Sequence, residues 1–74
     1  MQPTRKQLDI LKFIERYTRD NKIPPTLREI GAAFDLATAH AGYFKAALMK
    51  KGLLAGKRNQ QRNSEITEAG KKYL

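Results

Sequence analysis

The side chains able to do covalent chemistry are few and scattered. Among 74 residues there is no cysteine, and the single histidine, His40, cannot assemble a histidine-rich metal site. That excludes a thiolate zinc site, an iron–sulfur site, a disulfide framework and a cysteine nucleophile. The carboxylates Asp9, Glu15, Asp20, Glu29, Asp35, Glu65 and Glu68 are spread along the chain, mostly beside basic residues. No nucleophile–base pair and no phosphate-cradling glycine loop accompanies them. An enzyme is therefore not expected, and no cofactor or metal is implied. What is concentrated is positive charge. Fifteen Lys and Arg against seven Asp and Glu give a net +8. Residues 1–37 carry seven basic and five acidic side chains, whereas residues 38–74 carry eight and two. Between Asp35 and Glu65 there is no acid, yet Lys45, Lys50, Lys51, Lys57, Arg58 and Arg62 all fall there. A one-sided cationic field attracts polyanions, of which nucleic acid is the commonest; the bland alternative is basicity that serves solubility alone.

The elements that position these charges follow from spacing. The length suits one domain over residues 1–74, too small for an interdomain cleft. With 41% apolar and 30% charged residues the composition is globular. No run approaches the ~20 apolar residues of a membrane span, and no signal-peptide core is present. A soluble, cytoplasmic protein, nucleoid-associated if its partner is DNA, is the expectation. Thr4-Arg5-Lys6-Gln7 has the capping-box pattern. Leu8, Leu11, Ile14 and Tyr17, widened by Ile10 and Phe13, then predict a helix from Arg5 to Asp20. Pro24 and Pro25 stop it, with Ile23 expected to pack inward. Thr26-Leu27-Arg28-Glu29 is a second capping box, opening a short helix through Ile30 to Phe34. Gly31, Ala32 and Ala33 keep that helix thin for a close neighbour. Asp35-Leu36-Ala37 reads as a tight turn, Thr38 as the cap of a third helix to Lys51, and Gly52 as its left-handed stop. Leu53-Leu54-Ala55 and Glu65-Ile66 read as strands flanking a polar, basic tip. Thr67 caps a last helix, Glu68 to Leu74.

Three helices followed by a hairpin and a short C-terminal helix make a mainly α fold with a small β hairpin. This is the order of a winged helix-turn-helix with a two- or three-stranded wing. In such a fold the third helix enters the major groove of DNA and reads base edges. At about 100° per residue, Ala41, Phe44 and Leu48 form its buried stripe, with Ala37 beside them. Ala39, Tyr43, Ala46 and Lys50 lie opposite, flanked by His40 and Gly42. Ala39, His40, Gly42 and Tyr43 are thus the expected base readers, and small Ala39 and Ala46 let the helix sit deep. For His40 the competing reading is a solvated flank residue; for Tyr43 it is a core tyrosine. Lys45 falls at the edge of the buried face and is expected to snorkel toward Glu29 or a phosphate. Backbone contacts are expected from Thr26 and Arg28 at the start of the second helix, from Lys45 and Lys50, and from the wing residues Lys57, Arg58, Gln60, Gln61 and Arg62. A solvated loop is the alternative for the wing.

The run Ile23-Pro24-Pro25-Thr26-x-Arg28-Glu29-Ile30-Gly31 resembles the DNA-binding domain of LexA repressors. Arg5-x-Gln7, Phe13-Ile14, Tyr17 and Lys51-Gly52-Leu53-Leu54 sit where that family places similar residues, so the resemblance covers residues 4–58. The segment Ile66 to Leu74 is similar to the strand-to-helix step of MarR-type winged helices. The resemblance implies a sequence-specific regulator of double-stranded DNA, a repressor, with a homodimer on a palindromic site among its arrangements. LexA repressors also carry a second domain whose serine–lysine dyad cleaves an Ala-Gly bond, and these 74 residues do not hold one. Ala41-Gly42, Ala55-Gly56 and Ala69-Gly70 therefore read as chance or turn chemistry. The family usually has a Ser-rich start to its third helix and a leucine at or beside the place of Lys45, so its sequence specificity does not carry over. A domain of this length suits a phage or other mobile-element regulator. The alternative function is a winged-helix protein-interaction module, an antirepressor or corepressor of another regulator.

Overall fold

Two local hydrogen-bond devices set the first half of the fold. The computed structural model describes residues 3–56 and 64–74, and in it α1 runs Arg5–Asn21. At its start the Thr4 hydroxyl accepts from the Gln7 amide at 3.2 Å, and Gln7 Oε1 accepts from the Thr4 amide at 3.0 Å. Both halves of the box are made, so two of the amides that a helix start leaves unpaired are satisfied. Helix α1 ends at Lys22, in the left-handed region at φ 66°. The same box opens α2, Leu27–Phe34, between Thr26 and Glu29. A three-residue turn leads to α3, Thr38–Lys50. In that turn Asp35 adopts φ 57°, a conformation a short polar side chain tolerates. The Leu36 amide then donates to the Gly31 carbonyl at 2.7 Å. A Cβ on Gly31 would stand 2.5 Å from the Leu36 carbonyl oxygen, so the turn closes over a residue with no side chain.

Gly52, at φ 76°, ends α3 as expected. Its amide donates to the Met49 carbonyl, and that of Leu53 donates to the Leu48 carbonyl. This paired closure satisfies two late carbonyls and turns the chain into the hairpin. Strands β1, Leu54–Ala55, and β2, Glu65–Ile66, pair antiparallel with Leu54 opposite Ile66 and Ala55 opposite Glu65. Thr67 then caps α4, Glu68–Lys71, its hydroxyl accepting from the Gly70 amide at 3.0 Å. The same hydroxyl donates to the Gly52 carbonyl at 2.6 Å, tying the end of the hairpin to the end of α3.

The core is Ile10, Leu11 and Ile14 from α1, Ile30 from α2, Ala41 and Leu48 from α3, Leu53 just before the hairpin and Leu54 from β1. Each fully buried leucine or isoleucine removes apolar surface worth about 1.5–3 kcal/mol from water. Phe13 meets Phe34 edge-on, with ring centroids 5.6 Å apart, and so closes α1 over α2. Several expectations need correction. Ile23 is 45% exposed; Pro25 takes the buried place in that segment. Ala32 and Ala33 are exposed, so only Gly31 in that trio makes a close contact. Thr38 is the first residue of α3 rather than its cap: Ala37 holds the cap position, and no side chain bonds there. Helix α4 has four residues and stops at Lys71, short of the chain end. Among the described residues no helix is long and apolar enough to cross a membrane.

Candidate nucleic-acid interface

Helix α3 is held from behind and open in front. Ala41, Lys45 and Leu48 are buried, while Thr38, Ala39, His40, Tyr43, Ala46 and Lys50 are exposed. Tyr43 stands out at 69% exposed. The first turns carry an aromatic cluster. The His40 ring stacks on Phe44, four residues on, with centroids 5.1 Å apart and planes 28° apart. Tyr43 meets the same Phe44 edge-on at 6.0 Å and lies 6.3 Å from His40. Neighbours at i+3 and i+4 share a helix face, so three rings make one patch. His40 is exposed with one ring face on Phe44, and Tyr43 is not a core residue. The helical wheel hides this stack because it places Phe44 on the buried stripe, whereas Phe44 is half-buried.

Three other expectations for α3 change. Ala37, placed beside the stripe, is exposed. Gly42 is half-buried and turned toward α2: a Cβ there would meet Leu27 Cδ1 at 3.4 Å. It acts first as a spacer between the two helices. Lys45 lies deeper than the edge position expected for it. It is 8% exposed, on the same face as Ala41 and Leu48. Burial pushes its ammonium group below the ordinary lysine value of 10.5. Glu29, anticipated as its partner, is held elsewhere.

That residue joins α1 to α2. Tyr17 donates its hydroxyl to Glu29 Oε2 at 2.8 Å, and the Thr26 amide donates to Glu29 Oε1 at 2.7 Å. The Glu29 amide donates to the Thr26 hydroxyl at 3.1 Å. The start of α2 is thus partly filled by its own carboxylate, which competes with an incoming anion there. The Thr26 hydroxyl serves as acceptor in its cap, and Arg28 is exposed two residues on. Lys51 performs a second tie: its Nζ donates to Gln7 Oε1 at 2.6 Å, linking the end of α3 to the start of α1. Lys57, Arg58, Gln60, Gln61 and Arg62 lie outside the described residues.

Helices α2 and α3 joined by a tight turn, packed on α1 and followed by a two-stranded hairpin, define a winged helix-turn-helix domain. The chain belongs to the LexA DNA-binding domain family, whose model matches residues 1–63. It is similar to the LexA repressor of Lactobacillus johnsonii, 39% identical over 70 residues, covering 93% of this chain and 34% of the relative. The LexA repressor of an Anaeromyxobacter species is 46% identical over 52 residues, 69% of this chain and 22% of that one. That of Thermotoga neapolitana is 35% identical over 68 residues, 92% and 34% respectively. The chain spans about a third or less of the curated relatives it matches.

Proposed function

We propose that this domain binds double-stranded DNA as a sequence-specific transcriptional repressor, with α3 in the major groove. One observation carries the reading. The first turns of α3 present Ala39, His40 and Tyr43 outward, while Ala41 and Leu48 fasten the helix to the domain. A helix-turn-helix uses that half of its second helix against base edges. Ala39, His40 and Tyr43 are the base readers, with Gly42 beside them against α2. Arg28, the Thr26 hydroxyl and Lys50 contact phosphates, which fix register without conveying sequence. Lys57, Arg58, Gln60, Gln61 and Arg62 supply the wing's share of backbone contact.

Salt titration of duplex binding tests this. With about five phosphates neutralised, log affinity falls against log salt with a slope of about −4.5. Selection from random duplexes returns the preferred site, and palindromy in it reports a dimer. No duplex binding at low salt, or affinity indifferent to salt, overturns the proposal and favours a protein partner for the α3 face.

A further inference from the structure

We infer that α3 reads the C5-methyl groups of pyrimidines, so that its site carries thymine beneath Ala39 and Tyr43 and accepts 5-methylcytosine in thymine's place. The inference rests on the DNA-binding reading above. The side chains of α3 are Thr-Ala-His-Ala-Gly-Tyr-Phe-Lys-Ala-Ala-Leu-Met-Lys from Thr38 to Lys50. Two-point hydrogen bonding to guanine takes Arg or Lys, to adenine Asn or Gln, and acceptance from cytosine takes Asp or Glu. The helix has no Arg, Asn, Gln, Asp or Glu. Lys45 is buried and Lys50 closes the last turn, away from the half that meets bases. What remains exposed for hydrogen bonding in the first two turns is the Thr38 hydroxyl, the His40 imidazole and the Tyr43 hydroxyl. Each is a single-point contact, and His40 already has a face against Phe44.

Apolar surface is the larger resource of this face. It comprises the Ala39 and Ala46 methyls, both exposed, and the Tyr43 ring, 69% exposed and braced edge-on by Phe44. Alanine at both places lets the helix backbone approach the base edges. The one apolar group that base pairs offer in the major groove is the thymine methyl. Cytosine lacks it and 5-methylcytosine restores it at the same ring position.

The test uses the duplex enriched from random sequence, with thymines replaced singly by deoxyuridine, and fluorescence anisotropy at one salt concentration. Deoxyuridine keeps the pairing and removes only the methyl. Affinity is expected to fall about fourfold at each thymine beneath α3, the factor for one buried methyl group. It should be unchanged at thymines elsewhere in the site. Replacing a sensitive T·A pair by C·G weakens binding, and 5-methylcytosine in that pair recovers part of the loss. Tyr43→Ala, with folding checked by circular dichroism, erases the deoxyuridine effect at one position while leaving the salt slope intact. Duplex binding that is indifferent to deoxyuridine throughout overturns this inference and leaves the DNA-binding proposal standing. Absence of duplex binding overturns both.

Discussion

Helices α2 and α3 are neighbours with opposite habits. At the start of α2 the Thr26 and Glu29 side chains are engaged within the domain, in a reciprocal cap and in the bond from Tyr17. At the start of α3 the cap position is Ala37, no side chain caps the helix, and the rings of His40 and Tyr43 face solvent. The scaffold helix is fixed by its Thr26–Glu29 cap and by the bond from Tyr17, and leaves Arg28 exposed. The presenting helix is fixed by burial on its other face and leaves its outward polar groups exposed. Substitutions at Glu29 should therefore be read out in stability, and substitutions at Tyr43 in recognition.

The largest effect belongs to the scaffold. Glu29→Ala removes the acceptor of the Thr26 amide and of the Tyr17 hydroxyl. A lost cap costs about 0.5–2 kcal/mol and a hydrogen bond to a charged group about 1.5–3 kcal/mol. Because the site is only half-buried, the combined loss should be about 2 kcal/mol, measured by urea denaturation. Tyr17→Phe should cost about 1 kcal/mol. In both variants the ratio of specific to random duplex affinity stays as in the parent. A changed ratio at unchanged stability would break the division between the helices.

Tyr43→Ala inverts that pattern. Its ring is largely exposed, so stability should move by less than about 0.5 kcal/mol. Discrimination between the preferred site and random duplex should fall by about 1–3 kcal/mol, the worth of one good base contact. Equal loss on both duplexes would make Tyr43 a backbone contact instead. Arg58→Ala and Arg62→Ala serve as the contrast. Each should weaken both duplexes alike and lower the salt slope by about one unit.

What the sequence made legible was local. Both capping boxes, the Thr67 cap and the Gly52 stop depend on residues at most five apart, and the structure forms each of them. What it hid was set by packing at a distance. The direction of Ile23 depends on the left-handed Lys22 before it, which no periodicity describes. The buried face of α3 depends on what it packs against. Contact with α1, α2 and β1 shifts that face from Phe44, which still packs half-buried against the core, toward Lys45. A helical wheel centred on the most apolar residues finds Ala41 and Leu48 but misses that shift, because it cannot weigh a lysine as core. Of the candidate site, the outward set Ala39, His40 and Tyr43 was legible from the wheel, whereas the ring stack behind it was not.

Lys45 gives a third, smaller test, of the buried side of α3. Burial of its stem draws the Lys45 ammonium partly out of water, which lowers its pKa and disfavours the charged form. Lys45→Met keeps the length of the side chain and should stabilise the domain by about 1 kcal/mol at pH 7. The sign of the pH dependence follows from the lowered pKa. Below the folded-state pKa both states are protonated and the full penalty is present. Between that value and the unfolded value of 10.5 the unfolded chain binds more protons, so stability rises with pH. The gain from Lys45→Met should therefore shrink as pH approaches 10.5, in paired urea melts that cancel the other titrating groups. A gain constant with pH would mean that Lys45 keeps its charge in water.

The smallest effect tests the empty cap. Ala37 has φ −63° and ψ 150°, the extended conformation a capping residue adopts, yet its methyl cannot accept from an amide. A serine there needs no backbone change, and Ala37 is exposed, so the added hydroxyl meets no core atom. Ala37→Ser should raise stability by about 0.5–1 kcal/mol, since the reverse exchange at capping sites typically costs that much. Thr38→Ala is the control: Thr38 is the first residue of the helix and caps nothing, so its loss should leave stability within about 0.5 kcal/mol. The two variants exchange the same chemistry one residue apart, which removes composition as an explanation. Stabilisation by Ala37→Ser with neutrality of Thr38→Ala keeps α3 as the helix fastened by burial and left uncapped. A loss at Thr38→Ala as large as that at Glu29→Ala would mean that α3 is capped after all, and that the two helices are built alike.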